Sequence, residues 1–142
     1  VRYKVTVDVA AAPERVWEVL ADIEGWPRWT VSKPSVRLLS GGPVAVGSEA
    51  EVRQLKLATE VWQVTEMEAG RSFEWRSQNP VFTTISTHRI EPLGAGRSRV
   101  VLGLRQKGFM APLLALAYGK LTRRYVDMEA AGLKRYCEAM GG

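Results

Sequence analysis

The sequence predicts an α+β fold in which one antiparallel sheet of about seven strands faces a long C-terminal helix. Three observations predict it. The stretch from Pro112 to Met140 is the only one long enough for a helix of many turns, with Leu114, Leu121 and Met128 recurring at sevens and Tyr118, Tyr125 and Gly132 between them. About six strand-like runs follow one another between Ser35 and Lys107, joined by short turns, which is the pattern of antiparallel pairing. One further strand and two short helices precede them, so the helices stand outside the strand run instead of alternating with it.

Taken in order, Tyr3 to Val9 alternates and reads as a strand. Pro13 then opens a helix, since its missing N–H costs nothing in the first turn, and Glu14 lies near the positive end of the helix dipole. Val16, Trp17, Leu20 and Ile23 form its buried stripe, Gly25 is expected to end it, and Trp26-Pro27-Arg28-Trp29 makes a turn or second short helix. Pro34 and Gly41-Gly42-Pro43 bracket a short strand at Val36 to Leu39. Glu49 to Leu57 alternates with Ala50, Val52 and Gln54 facing inward; Glu60 to Met67 and Arg71 to Ser77 pair through Ala69-Gly70. Phe82 to Pro92 and Ser98 to Lys107 form a hairpin through Gly94-Ala95-Gly96. On the terminal helix, Lys120, Arg123, Arg124, Asp127, Glu129 and Lys134 are assigned to the solvent face. The opposite face needs an apolar surface to lie on, and a concave sheet meeting it encloses a cavity.

With 142 residues, 46% of them hydrophobic, the chain fits a single domain spanning 1–142. The lone Cys137 admits no internal disulfide, and no charged and apolar leader opens the sequence, so a reducing, cytoplasmic setting is expected. No apolar run approaches the ~20 residues of a membrane-spanning helix. The net charge of +5 is uneven: residues 97–142 carry 9 basic and 3 acidic side chains, against 11 and 12 in residues 1–96. The aromatics are not interleaved with these basic residues, which argues against a nucleic-acid surface. One His and one Cys cannot build a metal shell, and no phosphate loop or nucleophile elbow is present, so neither metal nor cofactor is expected. Oligomeric state is left open, with a homodimer as one arrangement.

Ala12-Pro13-Glu14-Arg15-Val16-Trp17-Glu18-Val19-Leu20-Ala21-Asp22 followed by Trp26-Pro27-Arg28-Trp29 resembles the opening of the polyketide cyclase/dehydrase family within the START-like, or SRPBCC, superfamily. Val46-Gly47-Ser48, Trp62-Gln63-Val64-Thr65-Glu66, Phe73-Glu74-Trp75 and His88-Arg89-Ile90-Glu91-Pro92 continue the resemblance over almost the whole chain. It implies the helix-grip fold, in which a curved sheet wraps the C-terminal helix around a deep cavity for an apolar ligand. A fold of this kind carries activity less securely than architecture. Binding of a small hydrophobic or aromatic molecule, lipid- or polyketide-like, is therefore the first expectation. A cyclase, aromatase or dehydratase using the same cavity is the alternative.

Strand parity groups His88 with Thr84, Ser86 and Ile90, so a hydroxyl-lined wall with one imidazole is expected on the cavity side. Were there catalysis, His88 and Tyr125 would be its candidates, the first as acid/base and the second orienting an oxygen. Trp62, Phe73, Trp75, Leu102 and Leu104 from the strands, with Tyr118, Leu121, Tyr125 and Met128 from the helix, complete the expected ligand-binding lining. Cys137, near the negative end of the helix dipole, is expected to be structural.

Overall fold

Residues 2–140 are described by a computed structural model, and the chain runs β1 (Arg2–Val9), α1 (Pro13–Ala21), a 3-10 helix (Ile23–Arg28), β2 (Ser35–Leu38), β3 (Glu49–Arg53), β4 (Glu60–Glu68), β5 (Ser72–Gln78), β6 (Thr83–Gly94), β7 (Arg97–Lys107) and α2 (Ala111–Met140). All seven strands join one sheet in the order β1-β7-β6-β5-β4-β3-β2, with every neighbouring pair antiparallel. Only β1 is out of sequence order; it closes beside β7. The predicted α+β architecture with a long C-terminal helix is the one observed. A register shift between Val64 and Glu66 bends β4 against β5, and bulges of this kind increase local twist and help curl a sheet over a helix.

The first helix ends earlier than its stripe implied. Asp22 leaves the helical region with φ −82° and ψ 75°, so α1 stops at Ala21, and Gly25 falls inside the 3-10 helix that follows. That tighter turn drives Trp26 inward, where its indole N–H donates to the carbonyl of Leu20 at 2.9 Å. Trp26 is fully buried and touches the rings of Trp29, Phe73, Trp75 and His88. Trp17 meets Phe73 edge-on at 6.4 Å, between α1 and the sheet.

The face that α2 presents to the protein is rotated from the heptad expectation. Tyr125, Val126, Glu129, Ala130, Leu133 and Cys137 are buried, while Leu121 and Met128 are only half-buried and Tyr118 is exposed. A straight helix drifts ~20° per heptad, so large residues at sevens do not stay on one line. Closest approach is set instead by a small residue: a Cβ on Gly132 would lie 1.8 Å from the Trp29 carbonyl oxygen. Glu129, expected on the solvent face, is thereby turned inward.

Candidate functional site

The concave face of the sheet is organised in cross-strand rows. Ser77, Thr84 and Gln106 are in register across β5, β6 and β7; Trp75, Ser86 and Leu104 form the next row, and Phe73, His88 and Leu102 the row after that. All nine side chains have the same parity, but they do not meet the same neighbour. Trp26 packs against Phe73 and His88, and against Trp75 of the row before, and the whole Phe73–His88–Leu102 row is buried in the core. Beyond Trp26 the described residues leave a space between sheet and α2 unfilled.

What remains there is a cavity of about 330 Å³, near the lower end of the ~300–1,000 Å³ common for ligand pockets. Of the twelve residues expected to line it, Trp62, Trp75, Thr84, Ser86, Leu104, Tyr118 and Tyr125 lie on its wall. Phe73, His88 and Leu102 do not, because they belong to the row buried in the core. Leu121 and Met128 do not either, because the rotation of α2 carries them away. Lys56, Ala58, Asn79 and Tyr118 are exposed and mark the mouth; Trp62, Trp75, Tyr125 and Val126 are buried and form the floor. The Tyr125 hydroxyl donates to the carbonyl of Leu55, tying α2 to the segment after β3.

His88 sits behind that floor. Its ring stacks on Phe73 at 4.1 Å with the planes 13° apart, and Nδ1 is 3.2 Å from the Phe73 carbonyl. A carbonyl only accepts, so Nδ1 carries the proton and Nε2 accepts from the Ser86 hydroxyl at 3.4 Å. Burial pushes its pKa down to about 4, against opposing pulls from the Glu129 carboxylate and the Phe73 carbonyl, with Lys33 adding to the fall. The imidazole is neutral at physiological pH. Cys137 is likewise a core group, its thiol pushed up to about 11 chiefly by burial.

Two buried charged residues outside the predicted lining stand in the wall. Lys33 and Glu129 are both buried, line the cavity and bond directly to one another across 96 residues of chain. Lys33 Nζ also lies 5.7 Å from the centre of the Trp26 ring. Lys33 follows buried Thr30 and Ser32, whose hydroxyls bond each other at 2.9 Å, so this loop is held inside instead of lying on the surface. Nothing in Ser32-Lys33-Pro34 distinguishes it from a solvated loop. Glu129 did carry a signal: it is four residues from Tyr125 and three from Gly132, and so shares their face. Trp62 Nε1 is the one buried side-chain nitrogen or oxygen without a hydrogen-bond partner among the described residues, and its indole is part of the same wall.

Residues 1–138 match the model of a family described as polyketide cyclase/dehydrase and lipid transport. Among solved structures, a protein of Thermus thermophilus is similar over 100% of both chains, with TM-score 0.80 and 18% identity. The Zhui aromatase/cyclase of Streptomyces sp. R1128 is similar over 100% of this chain and 98% of its own, with TM-score 0.73 and 20% identity. A START superfamily protein of Mycobacterium smegmatis matches 98% of both chains, with TM-score 0.73 and 18% identity. An uncharacterised protein of Mycobacterium tuberculosis is 41% identical over 46 residues, which is 32% of this chain and 28% of that protein's length. At these identities the structural matches establish the helix-grip fold.

Proposed function

The chain belongs to the polyketide cyclase/dehydrase and lipid transport family, and from that premise we propose that it binds a small hydrophobic or aromatic molecule, lipid- or polyketide-like, between its sheet and α2. The observation that carries this reading is the unfilled space over the Trp75–Ser86–Leu104 row, beside the tightly packed row under Trp26. Flat aromatic walls from Trp62 and Trp75, with ring centres 5.6 Å apart, suit a planar guest. The lone buried thiol of Cys137 agrees with a reducing, cytoplasmic setting. Cyclase, aromatase or dehydratase chemistry in this cavity is the alternative, and it would have to run through wall residues, since His88 lies behind them.

Burial of roughly 300 Å² of apolar ligand surface gains about 7 kcal/mol. Association costs of ~4–15 kcal/mol offset most or all of that. Apolar contact alone therefore gives weak binding, and polar groups in the wall set affinity and choice. Thermal unfolding against a panel of planar aromatics and lipids tests the reading. A ligand present at about 100 times its Kd should add ~2.7 kcal/mol, seen as a rise of several degrees in Tm. Thr122→Trp, which places an indole in the cavity from α2, should abolish the rise. A flat response across the panel would remove the proposal.

A second reading concerns how such a ligand arrives, and one surface favours it. Phe109, Leu113 and Leu116, at and just before the start of α2, are 76%, 56% and 85% exposed. At helical spacing Leu113 and Leu116 share their face of α2 with Lys120, Arg123 and Arg124, all exposed. Apolar tips beside a basic strip complement an anionic lipid surface, although no described helix is long and apolar enough to cross a membrane. Vesicles containing phosphatidylserine should bind the protein at low salt and release it at ~0.5 M salt. Leu116→Glu should weaken capture, and equal binding to purely zwitterionic vesicles would refute the charge-based docking.

A further inference from the structure

We infer that the buried Lys33–Glu129 pair makes the cavity selective for neutral ligands bearing a hydroxyl oxygen and makes it reject carboxylates. The inference rests on the binding reading above and deepens it. Both side chains are more than nine-tenths buried, both lie on the wall, and they reach it from separate elements. The remaining charges around the cavity are Lys56, exposed at the mouth, and half-buried Glu60, so the lining as a whole carries no net charge.

Charge balance decides what such a wall admits. An anionic head drawn to Lys33 would have to compete with Glu129 and would place two negative groups side by side, away from water. A cationic head meets the mirror-image penalty at Lys33. A hydroxyl disturbs neither. The ammonium has three donors and its one hydrogen bond among the described residues goes to Glu129, while the second Glu129 oxygen has no protein partner among them. A ligand O–H can accept from the first and donate to the second while the pair stays intact. Trp62 supplies an independent sign that a polar ligand atom belongs here. Its buried N–H has no acceptor among the described residues, and an orphan donor of this kind would be satisfied by an oxygen brought in with the guest.

Three probes with one ring body separate the terms: naphthalene, 2-naphthol and 2-naphthoate, titrated at pH 7 and followed by tryptophan fluorescence and calorimetry. The native protein should bind 2-naphthol roughly tenfold or more tighter than naphthalene, and 2-naphthoate weakest of the three. Glu129→Gln leaves Lys33 as a lone cation and should invert the order in favour of 2-naphthoate. Because that variant leaves a buried charge without its partner, the double variant Lys33→Met/Glu129→Leu is made alongside it. Apolar replacements of a buried pair commonly fold well, and this protein should bind naphthalene and 2-naphthol alike. Equal affinity for all three probes in the native protein, or a preference for 2-naphthol that survives the double variant, overturns the inference while leaving the binding reading standing. If naphthalene fails to bind along with the other two, the binding reading falls and this one falls with it.

Discussion

Gly132→Ala is expected to destabilise the protein by about 3 kcal/mol, the upper end of what overpacking costs, although the same change in an open helix interior would stabilise it by up to ~1 kcal/mol. The added Cβ would stand 1.8 Å from the Trp29 carbonyl oxygen and 3.0 Å from its carbonyl carbon. Both are backbone atoms, so no rotamer change relieves the clash. Relief requires α2 to retreat from the segment after the 3-10 helix, and the neighbours that would lose contact are among the best packed in the molecule: Trp26, Trp29, Ala130 and Leu133. Gly119 is the control on the same helix, since nothing lies within 4 Å of a Cβ built there. Gly119→Ala should therefore be neutral or stabilising. Urea denaturation of the two variants decides the matter, and similar midpoints for both would mean that the crossing at Gly132 is not where α2 is held.

That crossing has a functional side. Trp29 lies four residues before Lys33, and Gly132 three residues after Glu129, so the contact that only glycine permits is also what brings the two charges together. A retreat of α2 would loosen the ion pair and widen the cavity at once. Gly132→Ala protein that remains folded should accordingly lose ligand discrimination along with stability.

The same residues explain what a reader of the sequence could and could not see. Alternation in β5, β6 and β7 gives the facing of each side chain: Trp75, Thr84, Ser86 and Leu104 line the cavity, and Phe73, His88, Ile90 and Leu102 are buried on the same parity. Parity carries no depth, however. Whether Ser86 or His88 reaches open space depends on Trp26, which arrives from a 3-10 helix some sixty residues earlier and packs on His88, Phe73 and the edge of the next row at Trp75, leaving Ser86 and Leu104 on the cavity wall. On α2 the error had a different origin. Spacing at sevens tracks large side chains, but a helix approaches its neighbour where side chains are small, and Gly132 rotated the contact face until Glu129 turned inward. Lys33 had no local signature at all, because a lysine between serine and proline reads as a surface loop unless one knows that Thr30 and Ser32 are buried.

Acidification from pH 6.5 to pH 4 is expected to cost the folded protein about 3 kcal/mol through His88 alone. In the unfolded chain the imidazole titrates near its ordinary 6.5, whereas in the fold it does so at about 4. Above 6.5 it is neutral in both states and contributes no pH dependence. Between the two values the unfolded chain takes up a proton that the folded one refuses, so stability falls by about 1.4 kcal/mol for each unit of pH lost; below about 4 both states are protonated and the slope ends. Burial is the main cause, and the charges that face the ring from α2 and from the loop before β2, Glu129 and Lys33, pull in opposite directions. The Asp8 and Glu138 carboxylates, held below their usual range by hydrogen bonds from Arg99 and Lys134, also lose their contribution in acid. Their window lies lower, which leaves pH 6.5 to 5 as the interval that isolates the imidazole. His88→Gln can bond both the Phe73 carbonyl and the Ser86 hydroxyl without titrating, so its stability should be flat across that interval whatever its absolute value. An identical slope in the variant would locate the missing proton on another group and would show that His88 is solvated enough to charge within the fold, in contact with the space Trp26 closes off.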